Sequence, residues 1–199
     1  HAWRRIAEGK LEDLSFTVPF EVEDVEEYLG RRYRVLGEMN GTPYEWIGEL
    51  HEPPADRDLR IASLNCVKNV TAHSAWNRAG VWFPHEDLTE RVAAHDADFL
   101  FFAGDQVYDH FKHYAGWLKF GRDFGEIIKD RPTLCLPDDH DAGQPNLWGE
   151  SGKVSTLGGA SDGGYARPGV YVQEVERAQT SHFPDPVDPH KIGQGIGVW

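Results

Sequence analysis

The chain has 199 residues, with 20 basic against 33 acidic side chains and a formal charge of −13. That surplus argues against a protein that grips a phosphate backbone, so a stable nucleic-acid partner is not expected; it fits a protein that gathers carboxylates around cations. With 40% hydrophobic residues and seven Trp the chain can build a core, and no apolar run approaches the roughly 18–20 residues of a membrane span, so it reads as neither disordered nor membrane-spanning.

In chain order, Glu21–Glu27 is a charge run that suits a solvated loop or helix face. Arg32–Leu36 and Tyr44–Ile47 are β-rich runs around an Asn40-Gly41 turn signal. They predict a hairpin whose connection is longer than two residues. Pro53-Pro54 and Ala55–Asp58 then read as a linker. Residues 1–58 are therefore expected to be the C-terminal remnant of an N-terminal β domain plus linker. From residue 59 the pattern turns α/β. Leu59–Leu64 predicts a strand, and Pro84–Ala97 a helix with Leu88, Val92 and His95 on one side. Asp98–Ala103 is a continuous apolar run, as for a strand buried on both faces. A second helix is predicted over roughly Tyr108–Lys129, a third strand over Pro132–Leu136 and a last helix over Val170–Gln179. Strands about thirty residues apart with a helix between them suit parallel crossovers, hence an α/β fold with a parallel β-α-β-α-β unit. No internal repeat is present, and the Pro-rich stretch His182–Pro189 excludes a helix or central strand there.

Each strand ends in a polar cluster: Asn65-Cys66, Gly104-Asp105-Gln106-Val107-Tyr108, and Asp138-Asp139-His140-Asp141. In a parallel sheet the carboxyl ends share one edge, which is where open α/β sheets bind ligands. Asp105 and Asp139 offer hard anionic oxygens, Cys66 a thiolate and Tyr108 a phenol. A phenol is protonated at neutral pH, so its use as a ligand would favour a highly charged cation. Asp138 beside Asp139 is a like-charge pair that a cation would compensate. His140 is placed to donate a proton or orient an anion. Each residue has an ordinary alternative: Cys66 and Cys135 as core thiols, Tyr108 as packing, Asp138 or Asp139 as a turn cap. It is the conjunction of three clusters that points to metal.

These residues, with Asn146-Leu-Trp148-Gly after them, resemble the alkaline phosphatase D (PhoD-like) family of the calcineurin-like metallophosphoesterase superfamily. The resemblance covers about residues 59–199, which it casts as the N-terminal half of such a domain, a partial metallophosphoesterase sandwich; residues 1–58 are similar to the end of that family's N-terminal β-sandwich. It implies an exported phosphomonoesterase or phosphodiesterase with Fe3+ and Ca2+, a divalent pair being the alternative, and a phosphate ester as substrate. It also implies that Cys66, Asp105 and Tyr108 hold iron, that Asp105 bridges to calcium with Asp139, and that His140 assists phosphate binding or leaving-group protonation. Asn65, Asp138 and Asn146 would stand beside them.

Other readings are open to the sequence. One is a non-catalytic metal-binding α/β fragment or binding module. Gly159–Gly163 matches the G-x-S-x-G elbow of serine hydrolases, but the strand and helix that the elbow needs on either side are not predicted there. His73, His85, His95, His110 and His113 are expected on surfaces or helix faces, with His110 and His113 near enough to Tyr108 to approach substrate. Beyond Asp141 no further histidine ligand motif of the superfamily occurs, and His182 and His190 lie in Pro-rich stretches. The chain is therefore expected to be a catalytically incomplete piece of a longer protein, extending beyond both ends, with one apolar sheet face partly exposed.

Overall fold

Asn40 and Gly41, with φ of 53° and 76°, close a two-residue turn in the computed structural model. Positive φ at both positions is what a type I′ hairpin turn requires. The structure describes residues 2–68, 70–71, 81–82, 85–144, 154–157 and 162–183. The hairpin strands run over Arg32–Met39 (β1) and Thr42–Glu49 (β2), pairing Met39 with Thr42 and Arg32 with Glu49. The connection is thus shorter than the sequence suggests. Gly37, Glu38 and Pro43 are weak strand formers, but the turn's twist carries the ladder through them.

The α/β unit follows: Ile61–Leu64 (β3), the short antiparallel pair Val70–Thr71 (β4) and Val81–Trp82 (β5), Glu86–Ala94 (α1), Phe99–Ala103 (β6), His113–Ile128 (α2), Thr133–Leu136 (β7) and Gly169–Thr180 (α3). Strands β3, β6 and β7 form a parallel sheet in that order, with α1 and α2 in the two crossovers. Helix α2 begins five residues later than the periodicity implies, because the Asp109 Oδ1 atom accepts the N–H groups of Phe111 (3.0 Å) and Lys112 (3.1 Å). That local turn competes with helix and keeps Tyr108 and His110 in a loop. Helix α1 stops at Ala94, short of the predicted Ala97, and leaves His95 exposed.

One sheet face forms the core. Leu64, Leu100, Phe102 and Cys135 pack against Val92 of α1 and Phe120, Phe124 and Ile127 of α2. Phe102 is fully buried, with edge-on rings of Phe120 at 4.9 Å and Phe124 at 5.3 Å. Strand β6 is not buried on both faces as its composition suggests. Leu100 and Phe102 alternate with half-buried Phe99, Phe101 and Ala103, and Ile61 beside Phe99 on β3 is 62% exposed.

Asp98, just before β6, ties the preceding segment to the sheet. Its carboxylate takes a bidentate pair from Arg57 (2.6 and 2.8 Å), the backbone N–H of Arg60 (2.8 Å) and a contact with His51 (3.1 Å). The hairpin adds a Tyr33 hydroxyl bond to the Lys129 carbonyl (2.7 Å), and the Trp46 ring fits where a Cβ on Gly125 would collide at 2.8 Å.

Two outcomes are expected. Phe102→Ala should lower stability by about 3–5 kcal/mol in denaturant titration, the usual cost of emptying a fully packed aromatic site. The Arg57 guanidinium, foremost, and the Arg60 N–H hold the Asp98 carboxyl well below the usual carboxylate range. A depressed folded value means that its contribution is complete above the unfolded value near pH 4 and is lost as pH falls below it. Asp98→Asn should therefore weaken the protein at neutral pH and flatten its acid unfolding curve. An unchanged curve would contradict this role.

Candidate metal centre

The site lies where β3, β6 and β7 end, and two backbone irregularities build it. Cys66 and Asp105 both adopt left-handed conformations, with φ of 51° and 59°. Such strain in non-glycine residues persists only where surrounding contacts impose it. Gly104, at φ 103°, permits the close approach, since a Cβ there would meet the Asp138 Cβ at 2.5 Å. The loops also bond directly, Cys66 N–H to the Gly104 carbonyl and Val67 N–H to the Asp105 carbonyl, each at 3.2 Å.

Asp141 imposes the arrangement. Fully buried, its carboxylate accepts the backbone N–H groups of Asp105 (2.7 Å), Val107 (2.8 Å) and Asp138 (2.9 Å), and the Gln179 side-chain amide (2.9 Å). Burial pushes this carboxyl up, against the hydrogen bonds that favour its ionised form. Gln179 on α3 also donates to the Gln106 Oε1 atom (2.8 Å), and its own oxygen faces the His113 Nε2 atom at 3.3 Å. His113 is therefore not a helix-face residue approaching substrate. It is fully buried at the start of α2, with Glu174 3.6 Å from its Nδ1 atom. His85 is not a plain surface residue either, since its Nε2 atom meets the Val67 carbonyl at 3.0 Å and its ring packs on Phe124.

Asp105 is the centre of the donor groups and is itself buried. On one side its Oδ2 atom accepts the Tyr108 hydroxyl at 3.0 Å and the Cys66 thiol at 3.4 Å. On the other, its Oδ1 atom accepts the His140 backbone N–H at 3.2 Å. Asp105, Asp139 and His140 each bring one ligand-type atom within 4.8 Å of the others. His140 lies against Tyr108, with ring centroids 4.4 Å apart, and its Nδ1 atom is 2.7 Å from the His110 Nε2 atom. Lys68 lies 5.1 Å above the Tyr108 ring.

Burial first, then Cys66 and Asp105, raise the Tyr108 hydroxyl far above its ordinary value. The Tyr108 hydrogen bond favours the Cys66 thiolate, but burial, Asp105 and Asp138 together outweigh it and raise the thiol. Both groups are thus held protonated, donating to Asp105. An acidic and histidine cluster flanked by a thiol and a phenol suits a cation, which would compete for the same atoms.

The loops thereby bring Cys66, Asp105, Tyr108, Asp139 and His140 together. Asp138 stands beside them, its Oδ1 atom accepting the Asp139 N–H at 2.8 Å, while Asn65 is exposed at the end of β3. Asn146, His73 and His190 lie outside the described residues, as do residues 159–161 of the glycine-serine motif. Its Asp162 carboxylate is engaged by Ser155 (2.7 Å) and the Thr156 N–H (3.0 Å). Cys135 is a buried core thiol, pushed up to about 12 by its surroundings. Asp141 and Gln179 are the residues to which sequence reasoning gave no role, while His110, expected near Tyr108, lies against His140. The only local signal for Asp141 was its place in an Asp-Asp-His-Asp run.

No protein-family model matches the chain, and no curated protein does. Among solved structures, the purple acid phosphatase isolated from yellow lupin (Lupinus luteus) seeds is similar, at 18% identity and a TM-score of 0.45. The match covers 74% of this chain and 26% of that one, so the chain spans about a quarter of that protein's length. Among the described residues no helix is long and apolar enough to cross a membrane.

Asp141→Asn would turn an amide toward N–H donors and leave at least one of them unpartnered, at a cost of about 1–3 kcal/mol. Reduced stability is expected, with faster hydrogen exchange at the Asp105 and Val107 amides. Unchanged protection at both would show that Asp141 does not fix the loops.

Proposed function

We propose that the chain carries one edge of a metal-dependent phosphoesterase site, of the PhoD-like kind that its motifs resemble. The observation that carries this reading is the convergence of three strand-end loops on Asp105. In it, Cys66 and Tyr108 hold one cation with Asp105, and Asp139 holds a second that Asp105 shares. Fe3+ and Ca2+ are the pair that the resemblance suggests, and a divalent pair is the alternative. When bound, such cations supply a water deprotonated near neutral pH and neutralise charge on phosphoryl oxygens. The chain's own residues do the rest. Asp105 and Asp139 fix the donor positions, Asp141 keeps both loops from moving, and His140 holds a proton for the leaving alkoxide. Lys68, beside Tyr108, adds positive charge near an incoming anion. The substrate is a phosphate ester, and export from the cytoplasm is part of the same proposal.

Aryl phosphate hydrolysis with added metal, by the whole natural protein that contains this chain, is the direct test, against Asp105→Ala and Asp139→Asn in that protein. Removing a ligand should cost more than the 10–100-fold typical of outer-shell changes. Unchanged activity in both variants would sink the assignment. Metal bound without turnover would favour the binding-module reading.

Two signatures concern the cation itself. Because Tyr108 and Cys66 are raised, a cation that takes them must displace protons. Affinity should therefore rise with pH, and calorimetry in buffers of different ionisation enthalpy should detect proton release. Loaded with Fe3+, the protein should absorb in the visible range through its thiolate and phenolate. A Tyr108→Phe spectrum identical to the original would refute Tyr108 as a ligand.

A further inference from the structure

One close contact at the site joins side chains that the functional reading does not link, His110 and His140. The His110 Nε2 and His140 Nδ1 atoms are 2.7 Å apart, and the rings are stacked with centroids 5.0 Å apart. Two neutral imidazole nitrogens at that distance share one hydrogen, so the contact couples the tautomers of the two rings. The loop geometry presents His110 for this. Asp109, the residue before it, accepts the Phe111 and Lys112 N–H groups, and its carbonyl takes the Tyr171 hydroxyl of α3 at 3.3 Å. His110 therefore stands on a loop tied both to α2 and to α3, not on a free surface.

We propose that His110 is the positioning residue of His140: it donates its Nε2 hydrogen to the His140 Nδ1 atom and so keeps the His140 hydrogen on Nε2. This rests on the proton-donor role given to His140 under the functional reading. The direction of the bond follows from charge. Asp105 and Asp139 bring carboxylate oxygens within 4.8 Å of a His140 nitrogen. With Nδ1 engaged by His110, the Nε2 atom is the ring nitrogen left to turn toward these carboxylates, and they favour an N–H there over a lone pair. Once that nitrogen carries the hydrogen, the Nδ1 atom is bare and can only accept. A histidine so fixed presents an N–H to an anion or leaving oxygen, with its ring plane set by two neighbours, His110 and Tyr108.

The test is long-range 1H–15N correlation of the histidine rings in the metal-free chain in mildly alkaline buffer, with His140→Gln identifying the His140 signals. The wild-type His140 should carry hydrogen on Nε2 and a hydrogen-bonded, bare Nδ1. His110→Gln should retain this state, because an amide N–H can replace the imidazole donor. His110→Ala should lose the hydrogen-bond shift at Nδ1. His110→Glu should move the His140 hydrogen to Nδ1, because the carboxylate accepts. A wild-type His140 protonated on Nδ1, a Gln variant behaving like Ala, or one tautomer unaltered in every variant would overturn the proposal. The wild-type spectrum decides even where a variant fails to fold. Lack of phosphoester hydrolysis by the whole natural protein that contains this chain would instead overturn the functional reading and leave the tautomer result standing.

Discussion

A single buried carboxylate organises the sheet edge. The loops that follow parallel strands turn backbone N–H groups inward, and a buried N–H without a partner is costly. Asp141 answers this for two loops at once, taking donors from the segment after β6, from the segment after β7 and from Gln179 on α3. An amide at that position could not accept from all of them. The loops consequently share one anchor, and neither can shift without stranding a buried polar group of the other.

The position of Asp105 follows from that anchor. Its backbone is held in a left-handed conformation by the bond to Asp141, and Gly104 lets it lie against Asp138. The side chain then reaches Cys66 and Tyr108 with one oxygen and the His140 amide with the other. The carboxylate is satisfied by protonated neighbours, which are the groups that a cation would deprotonate. The same atoms therefore serve two regimes, a hydrogen-bonded one and a coordinated one. The choice between them depends on proton activity and on cation charge.

The sheet and its polar edge were legible in the sequence because strand ends and parallel topology are local signals. Apolar runs a fixed interval apart, each closing on a polar cluster, leave few other arrangements. The supporting network was not legible, since Asp141 and Gln179 lie 38 residues apart and neither carries a periodic pattern. His113 read as a helix-face histidine for the same reason: its burial depends on α3, not on its own helix. Arg57 sat in what looked like a linker, and only the folded chain shows its bidentate grip on Asp98. The late start of α2 has a local cause, the Asp109 turn, that helical periodicity masks. That loop is also what brings His110 to His140.

The account's central claim is that the strand-end loops meet around Asp105 to hold a cation. Anomalous diffraction from crystals of the chain soaked with manganese or iron tests it most directly. The account predicts a peak within bonding distance of carboxylate oxygens from both Asp105 and Asp139. Anomalous density only at other acidic groups, with Asp105 still bound to the Tyr108 hydroxyl and the Cys66 thiol, would contradict it.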